Sequence, residues 1–250
     1  MGTIDISNAE RPVRVRVGGV DEKRMAEFRK RFPPTAKRHL YIRDEILFPN
    51  RQLKPNPIKT ELEEKQKITE DIKNLVSEMG AQDVGVAAFD SRFTFKQVEE
   101  FNHRTVIVFS LGMEYDFMAD IGPRSQGEVH QVYYKLDDMG MRLAHHICAY
   151  GYTARMQPNG GDFPLPAYGW LAGLGELGKH GSLISPKLGS SFRLCAVSTD
   201  MALVPDGPKD HGIDEVCMNC GMCERFCPGL AIKSEKQTVA DIKRWIVERE

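Results

Sequence analysis

The sequence has no long apolar run, which leaves no candidate for a membrane-spanning helix. The longest, Thr105 to Met113, falls far short of the roughly 20 residues that a helix needs to cross a bilayer. The N-terminus, MGTIDISNAERPVRV, has neither an apolar h-region nor a twin arginine. No export signal is read, and a cytoplasmic protein is expected. Charge of one sign is missing too. The formal net charge is −1, which offers nucleic acid or an anionic membrane surface no electrostatic footprint. There is no internal repeat and no low-complexity tract. The sequence opens with Met, so that end is expected to be complete.

What is present fits a soluble globular protein. The 250 residues are 41% apolar and 28% charged, enough for one large domain and a small one. Residues 1–65 are polar and rich in Lys, Arg and Pro, and read as an arm wrapping a core. Asp21 to Phe32 is predicted as a helix capped by Asp21. Phe48 to Pro57 is predicted to be extended, because its prolines oppose helix.

The core is placed at 66–205. Ile68, Ile72, Leu75, Val76 and Met79 recur at helical spacing before Gly80. Strands are predicted at Asp83–Phe89, Arg104–Leu111, Tyr152–Met156 and Ser191–Ser198. A long helix is predicted over Gly127–Tyr150, with Val129, Val132, Leu136, Met139, Leu143 and Ile147 along one face. This order reads as an α/β domain. A polar linker follows, then a small segment at 206–250 that ends in a predicted helix, Thr238 to Glu250.

Four of the six cysteines lie within eleven residues. Disulfide frameworks spread their cysteines to close loops, and this cluster does not. Cys217, Cys220, Cys223 and Cys227 with Pro228 form C-x2-C-x2-C-x3-C-P, the spacing of a 4Fe–4S site. Thiolates are soft ligands that suit iron–sulfur clusters and zinc. Structural zinc usually pairs two knuckles across a longer span. The first three cysteines are expected around one tight loop, with Cys227 in the following turn and directed to a second cluster. Only Cys148 and Cys195 remain, and both sit in core-like patterns. A second cysteine motif is therefore missing, and the sequence reads as a piece of a longer protein.

Gly173, Gly175 and Gly178 match G-x-G-x-x-G literally. The context of a dinucleotide site is absent, since no buried strand precedes the motif and Gly181 and Pro186 interrupt any helix after it. The glycines suit close backbone approach to something flat and large, or a turn. His145 and His146 lack metal-ligand spacing and read as solvent or core histidines.

Ala172-Gly-Leu-Gly-Glu-Leu-Gly-Lys179, Leu183-Ile-Ser-Pro-Lys-Leu-Gly189, Phe192-Arg-Leu-Cys195, Ser198-Thr-Asp200 and then the cysteine block form a recognisable order. It resembles the corrinoid-dependent reductive dehalogenases and, more distantly, the epoxyqueuosine reductases. The similarity is clearest over 133–232. The resemblance implies a nitroreductase-like α/β core, of α+β type, that holds base-off cobalamin, followed by a ferredoxin-like domain with two 4Fe–4S clusters. No D-x-H-x-x-G stretch offers cobalt a lower histidine, which agrees with base-off binding. It implies cofactor contacts at Gly173, Gly175, Gly178 and Lys179. An organohalide substrate is implied, as is a low-potential donor such as a ferredoxin or flavodoxin. By position, Tyr133 matches the proton-donor tyrosine, with Asn159 and Arg193 completing the site. A cation near a tyrosine stabilises the phenolate and lowers its pKa from about 10, and an amide orients substrate or a developing anion. The aspartate of the epoxyqueuosine reductases has its nearest counterpart in Asp162, a few residues out of register. Two other readings stay open: a tRNA-modifying reductase of that second type, and an electron-transfer protein with no active site.

Overall fold

A computed structural model describes residues 3–5, 26–27, 29–99, 101–120 and 122–248. The Asp21 cap lies outside the described residues; Ala26, Glu27, Arg29 and Lys30 are helical. The chain opens with strand β1 (Thr3–Asp5), then helix α1 (Pro34–Tyr41), a π-helical stretch (Ile42–Leu47), the short α2 (Phe48–Asn50) and strand β2 (Gln52–Leu53). The extended reading of 48–57 is thus corrected at its start. Pro49 falls in the first turn of α2, where its missing N–H is not needed.

The core elements follow: α3 (Lys65–Glu78), β3 (Asp83–Ala88), β4 (Thr105–Gly112), α4 (Tyr115–Met118), α5 (Pro123–Ala149), β5 (Ala154–Gln157), α6 (Leu165–Leu171), β6 (Glu176–Leu177), β7 (Leu183–Ile184) and β8 (Phe192–Thr199). Five strands form one sheet in the order β2-β5-β8-β4-β3. Each pairing in it is antiparallel. The helix–strand alternation suggested α/β; the antiparallel pairing makes the core α+β.

Alternation along the strands explains two hydrophobic layers. Ile107, Phe109, Cys195 and Val197 face α3 and α5, meeting Ile72, Val76, Leu136, Met139 and Leu143. Val106, Val108, Leu194 and Ala196 face the other way, onto Phe163, Leu165, Tyr168 and Leu183. Gly140 lets α5 approach the sheet, since a Cβ there would meet Met156 Cγ at 2.8 Å and Cys195 Sγ at 3.0 Å. Cys148 and Cys195 are both core thiols, and burial pushes both upward in pKa. Among the described residues no helix is long and apolar enough to cross a membrane.

The C-terminal part contains α7 (Ile213–Cys220), α8 (Met222–Arg225), β9 (Ile232–Val239) and β10 (Ile242–Val247). The helix expected from Thr238 is instead the end of a hairpin, with Thr238 paired to Lys243. Ala240 and Asp241 turn the chain at φ +48° and +68°. Their side chains are not the Asn-Gly pair that announces such a turn. Trp245 is buried against the hairpin's neighbours, and β1 adds a parallel strand at Thr3↔Lys236.

Candidate active site

One half-open cavity of about 340 Å³ is lined by Tyr133, Asn159, Leu165, His180, Phe192 and Arg193, among others. Tyr133 comes from α5, Asn159 from the turn after β5, and Arg193 from β8. The three residues chosen from the sequence are therefore brought to one wall-lined space. The guanidinium of Arg193 lies 5.3 Å from the Tyr133 ring centroid. Its Nε is buried with no hydrogen-bond partner among the described residues, while the guanidinium as a whole is hydrogen-bonded to Tyr133.

The expected lowering of the Tyr133 pKa is corrected. Burial raises it, Arg193 opposes that by charge and by a hydrogen bond, and Asp137 adds to the rise. The net direction is upward, because loss of solvation outweighs the opposing charges of Arg193 and Arg43. Tyr133 is a protonated phenol at neutral pH, in the state required of a donor.

Behind Tyr133 lies a buried polar chain absent from the sequence reading. His39 Nε2 meets Asp137 Oδ2 at 3.0 Å, and His39 Nδ1 meets His130 Nδ1 at 2.8 Å. His130 Nε2 meets Gln126 Nε2 at 3.1 Å. The His39 ring stacks on Tyr133 at 5.9 Å. His130 and Asp137 stand three residues before and four after Tyr133 on the same helix, a spacing visible in the sequence; His39, on α1, is not so linked.

Asn159 is presented by a turn that Asp162 locks. Arg51 Nη2 donates to Asp162 Oδ1 at 2.5 Å, and Arg155 Nη1 to Oδ2 at 3.1 Å. Gln157 Nε2 donates to Oδ2 at 3.0 Å, and the Asp162 N–H returns a bond to Gln157. Burial alone would raise the Asp162 pKa, but these donors outweigh it and hold the carboxyl low. Asp162 is 3% exposed and does not line the cavity, so it braces rather than faces substrate.

The glycine motif forms a turn and hairpin. Gly173 has φ +70°, and a Cβ on Gly175 would meet the Ile184 carbonyl oxygen across β6 and β7 at 2.1 Å. A Cβ on Gly178 would meet Ile184 Cδ1 at 2.5 Å. The close approach is made to the chain itself. Between these glycines, Glu176 Oε2 accepts the N–H groups of His211 and Ile213 at 2.9 and 2.8 Å, anchoring the start of α7. Lys179, 5% exposed, donates to Glu224 at 3.1 Å and lies 4.5 Å from the Trp245 ring centroid. The motif thus clamps the cysteine segment to the hairpin whose residues His180, Ser182 and Leu183 line the cavity.

Cys217 and Cys220 lie on α7 and Cys223 on α8, joined through Gly221 at φ +61°. The tight loop expected here is helical at both ends, because Asp214 and Glu215 favour the first turn of α7 and Gly221 ends it. Cys217 and Cys227 are half-buried; Cys220 and Cys223 are exposed. The N–H of Ala231, then those of Gly229, Ile232 and Leu230, lower the Cys227 pKa.

No family model matches the chain. Over 167 residues it is 31% identical to the tetrachloroethene reductive dehalogenase of Desulfitobacterium hafniense, across 66% of this chain and 30% of that protein. The relatives of this chain are reductive dehalogenases. A solved reductive dehalogenase structure, described as suggesting a mechanism for B12-dependent dehalogenation, matches with a TM-score of 0.78 at 22% identity. The match covers 99% of this chain and 38% of that one, so the fold is shared. Epoxyqueuosine reductase from Streptococcus thermophilus is more distant, with a TM-score of 0.52 at 21% identity over 68% of this chain and 54% of its own. The chain therefore spans about a third of the length of the reductive dehalogenases it matches.

Two groups go with the reductive dehalogenase resemblance. For an iron–sulfur cluster the donor chemistry fits, with four closely spaced thiols and converging amides at Cys227. In this conformation no three such side chains among the described residues stand where they would share a metal. For a corrinoid, the 340 Å³ cavity is too small to enclose the group; its size is that of a small-ligand pocket, which starts at roughly 300 Å³.

Proposed function

We propose that this chain forms the substrate-facing and proton-donating part of a cobalamin-dependent, iron–sulfur reductive dehalogenase, an oxidoreductase that exchanges halide for hydrogen on an organohalide. The observation that carries this reading is the meeting of Tyr133, Asn159 and Arg193 around one cavity. Cobalamin, when bound, would supply the electrons at the reacting carbon, and 4Fe–4S clusters, one held by Cys217, Cys220 and Cys223 and a second reached by Cys227, would relay them from a low-potential donor such as a ferredoxin or flavodoxin in the cytoplasm. The core is of the nitroreductase-like type and the cysteine segment of the ferredoxin-like type.

The chain's own residues handle the proton and the anion. The carbon–halogen bond breaks, halide leaves, and with two electrons and one proton a carbon–hydrogen bond forms. Tyr133 Oη holds that proton before transfer, because burial keeps the phenol protonated. As the proton leaves, the guanidinium of Arg193 stabilises the phenolate without rearranging. Asn159 offers its side-chain amide to orient the substrate. Leu165, Leu183, Phe192 and Leu194 give the halocarbon an apolar wall. Gly173, Gly175, Gly178 and Lys179 serve the cofactors by holding the cysteine segment beside this cavity.

Anaerobic reconstitution with iron, sulfide and cobalamin tests the reading. About four irons per cluster, together with about one cobalt per chain, are expected. Iron without cobalt would leave an electron-transfer protein and remove the dehalogenase reading.

A further inference from the structure

We propose that His39 is a positioning residue for Tyr133: gripped at both ring nitrogens, it forms a fixed platform on which the tyrosine ring stacks. The inference rests on the reading of Tyr133 as proton donor for its consequence, but not for its test.

The grip is specific. A side-chain imidazole normally has two tautomers and can turn about χ2, and the hydrogen bond made by one nitrogen decides the role of the other. Here both are engaged. One set of proton positions satisfies every contact: Gln126 Nε2–H donates to His130 Nε2, His130 Nδ1–H to His39 Nδ1, and His39 Nε2–H to Asp137 Oδ2. The far end of the chain is anchored as a neutral ring, since burial first, with the charges of Arg43 and Arg193 adding to it, pushes His130 down to about 4.

The arrangement is expensive where it stands. His39 and Asp137 are each 2% exposed, and His130 6%. Polar groups so buried are unfavourable unless fully bonded, and an apolar contact between α1 and α5 would hold the helices together equally well. His39 lies 18° from parallel with the Tyr133 ring at 5.9 Å, while His130 meets the same ring edgewise at 6.2 Å. Arg193 engages it at 5.3 Å from β8. Tyr133 is therefore held by the platform, an edge contact and a cation, at the wall of the cavity it lines. Proton transfer is sensitive to such placement, and an error of about 1 Å can lower a rate on the order of a hundredfold.

The test reads Tyr133 directly, by ring-flip NMR on the full 250-residue chain with ring-labelled tyrosine and no cofactor, the signal being assigned with Tyr133→Phe. His39→Leu is expected to speed Tyr133 ring flips about tenfold or more and leave Tyr168, buried on the other side of the sheet, unchanged. Ala36→Gly, on the same helix and also buried, is the control for loosening of the interface and should leave Tyr133 slow. His39→Gln keeps a donor and an acceptor but no ring, and covers the case in which the leucine variant does not fold; it too should free the ring. Unchanged flipping in the His39 variants, or equal acceleration in Ala36→Gly, overturns the platform. In the reconstituted enzyme His39→Leu should lower kcat by about ten- to a hundredfold with KM nearly unchanged. Full halide release by Tyr133→Phe would instead overturn the donor reading and leave the platform standing.

Discussion

Arg193 and Tyr133, from β8 and α5, meet with the guanidinium 5.3 Å from the phenol ring, yet the phenol pKa remains raised. The cation does not ionise the tyrosine in the resting site. On the proposed reading it stands ready for the charge that proton transfer would create, as a preorganised site favours the transition state over the ground state. Replacing Arg193 by Gln should push the phenol pKa further up and lower turnover by roughly 10²- to 10³-fold, the range for loss of one charge-stabilising donor. Halide release at saturating substrate checks this, and turnover within a few-fold of the parent protein would argue that Arg193 has no part in the chemistry.

Asp162 should behave as a brace. Removing one partner from a buried ion pair costs about 3–5 kcal/mol, and Asp162 has both Arg51 and Arg155 on it. Asp162→Ala should therefore lower the urea midpoint strongly and loosen the turn that carries Asn159. A variant of full stability but no turnover would point to a chemical role, as the epoxyqueuosine-type reading expects.

Acid should destabilise the fold in a defined window. His103 is pushed down to about 4 by burial first and then by Arg155, and His130 is likewise about 4. An unfolded imidazole titrates near 6.5. Between those values the unfolded chain binds protons that the native chain does not, so stability is full above about 6.5 and falls as pH drops toward 4. Urea midpoints at several pH values should decline steadily across this interval. A flat profile would mean that neither ring is held neutral.

Gly175→Ala should pry open the β6–β7 hairpin, because the new Cβ has the Ile184 carbonyl oxygen at 2.1 Å. Overpacking of this kind destabilises by about 1–3 kcal/mol. The cost should extend beyond stability, since Glu176 anchors α7 from the same hairpin. Limited proteolysis is expected to cut the cysteine segment faster in this variant than in the parent, and equal rates would remove the clamp from the account.

The sequence was most legible where one helix or strand carries the whole signal. Val132, Leu136, Met139, Leu143 and Ile147 mark α5, and the β-branched run at 105–108 marks β4. Legibility failed where spacing is ambiguous or the partner is remote. Ile242 and Trp245, three apart, imitate a helical face, while the left-handed turn at Ala240 and Asp241 carries no glycine to betray it. Pro49 hides a helical turn inside a proline-rich stretch. The cysteine spacing conveys a chemistry but not a conformation. At the site, Tyr133, Asn159 and Arg193 were accessible through family resemblance. His39 was not, because its meaning lies in contacts to His130 and Asp137, 91 and 98 residues away.

The most direct measurement is anaerobic halide release from aryl and alkyl halides by the reconstituted protein, with Tyr133→Phe beside it. The expected result is stoichiometric halide and hydrogenated product from the parent, and a loss of roughly 10²- to 10⁴-fold on removing the phenol proton donor. Cobalt-loaded protein that releases no halide, or a phenylalanine variant as fast as the parent, would contradict the assignment of this cavity as a dehalogenating site with Tyr133 as its acid.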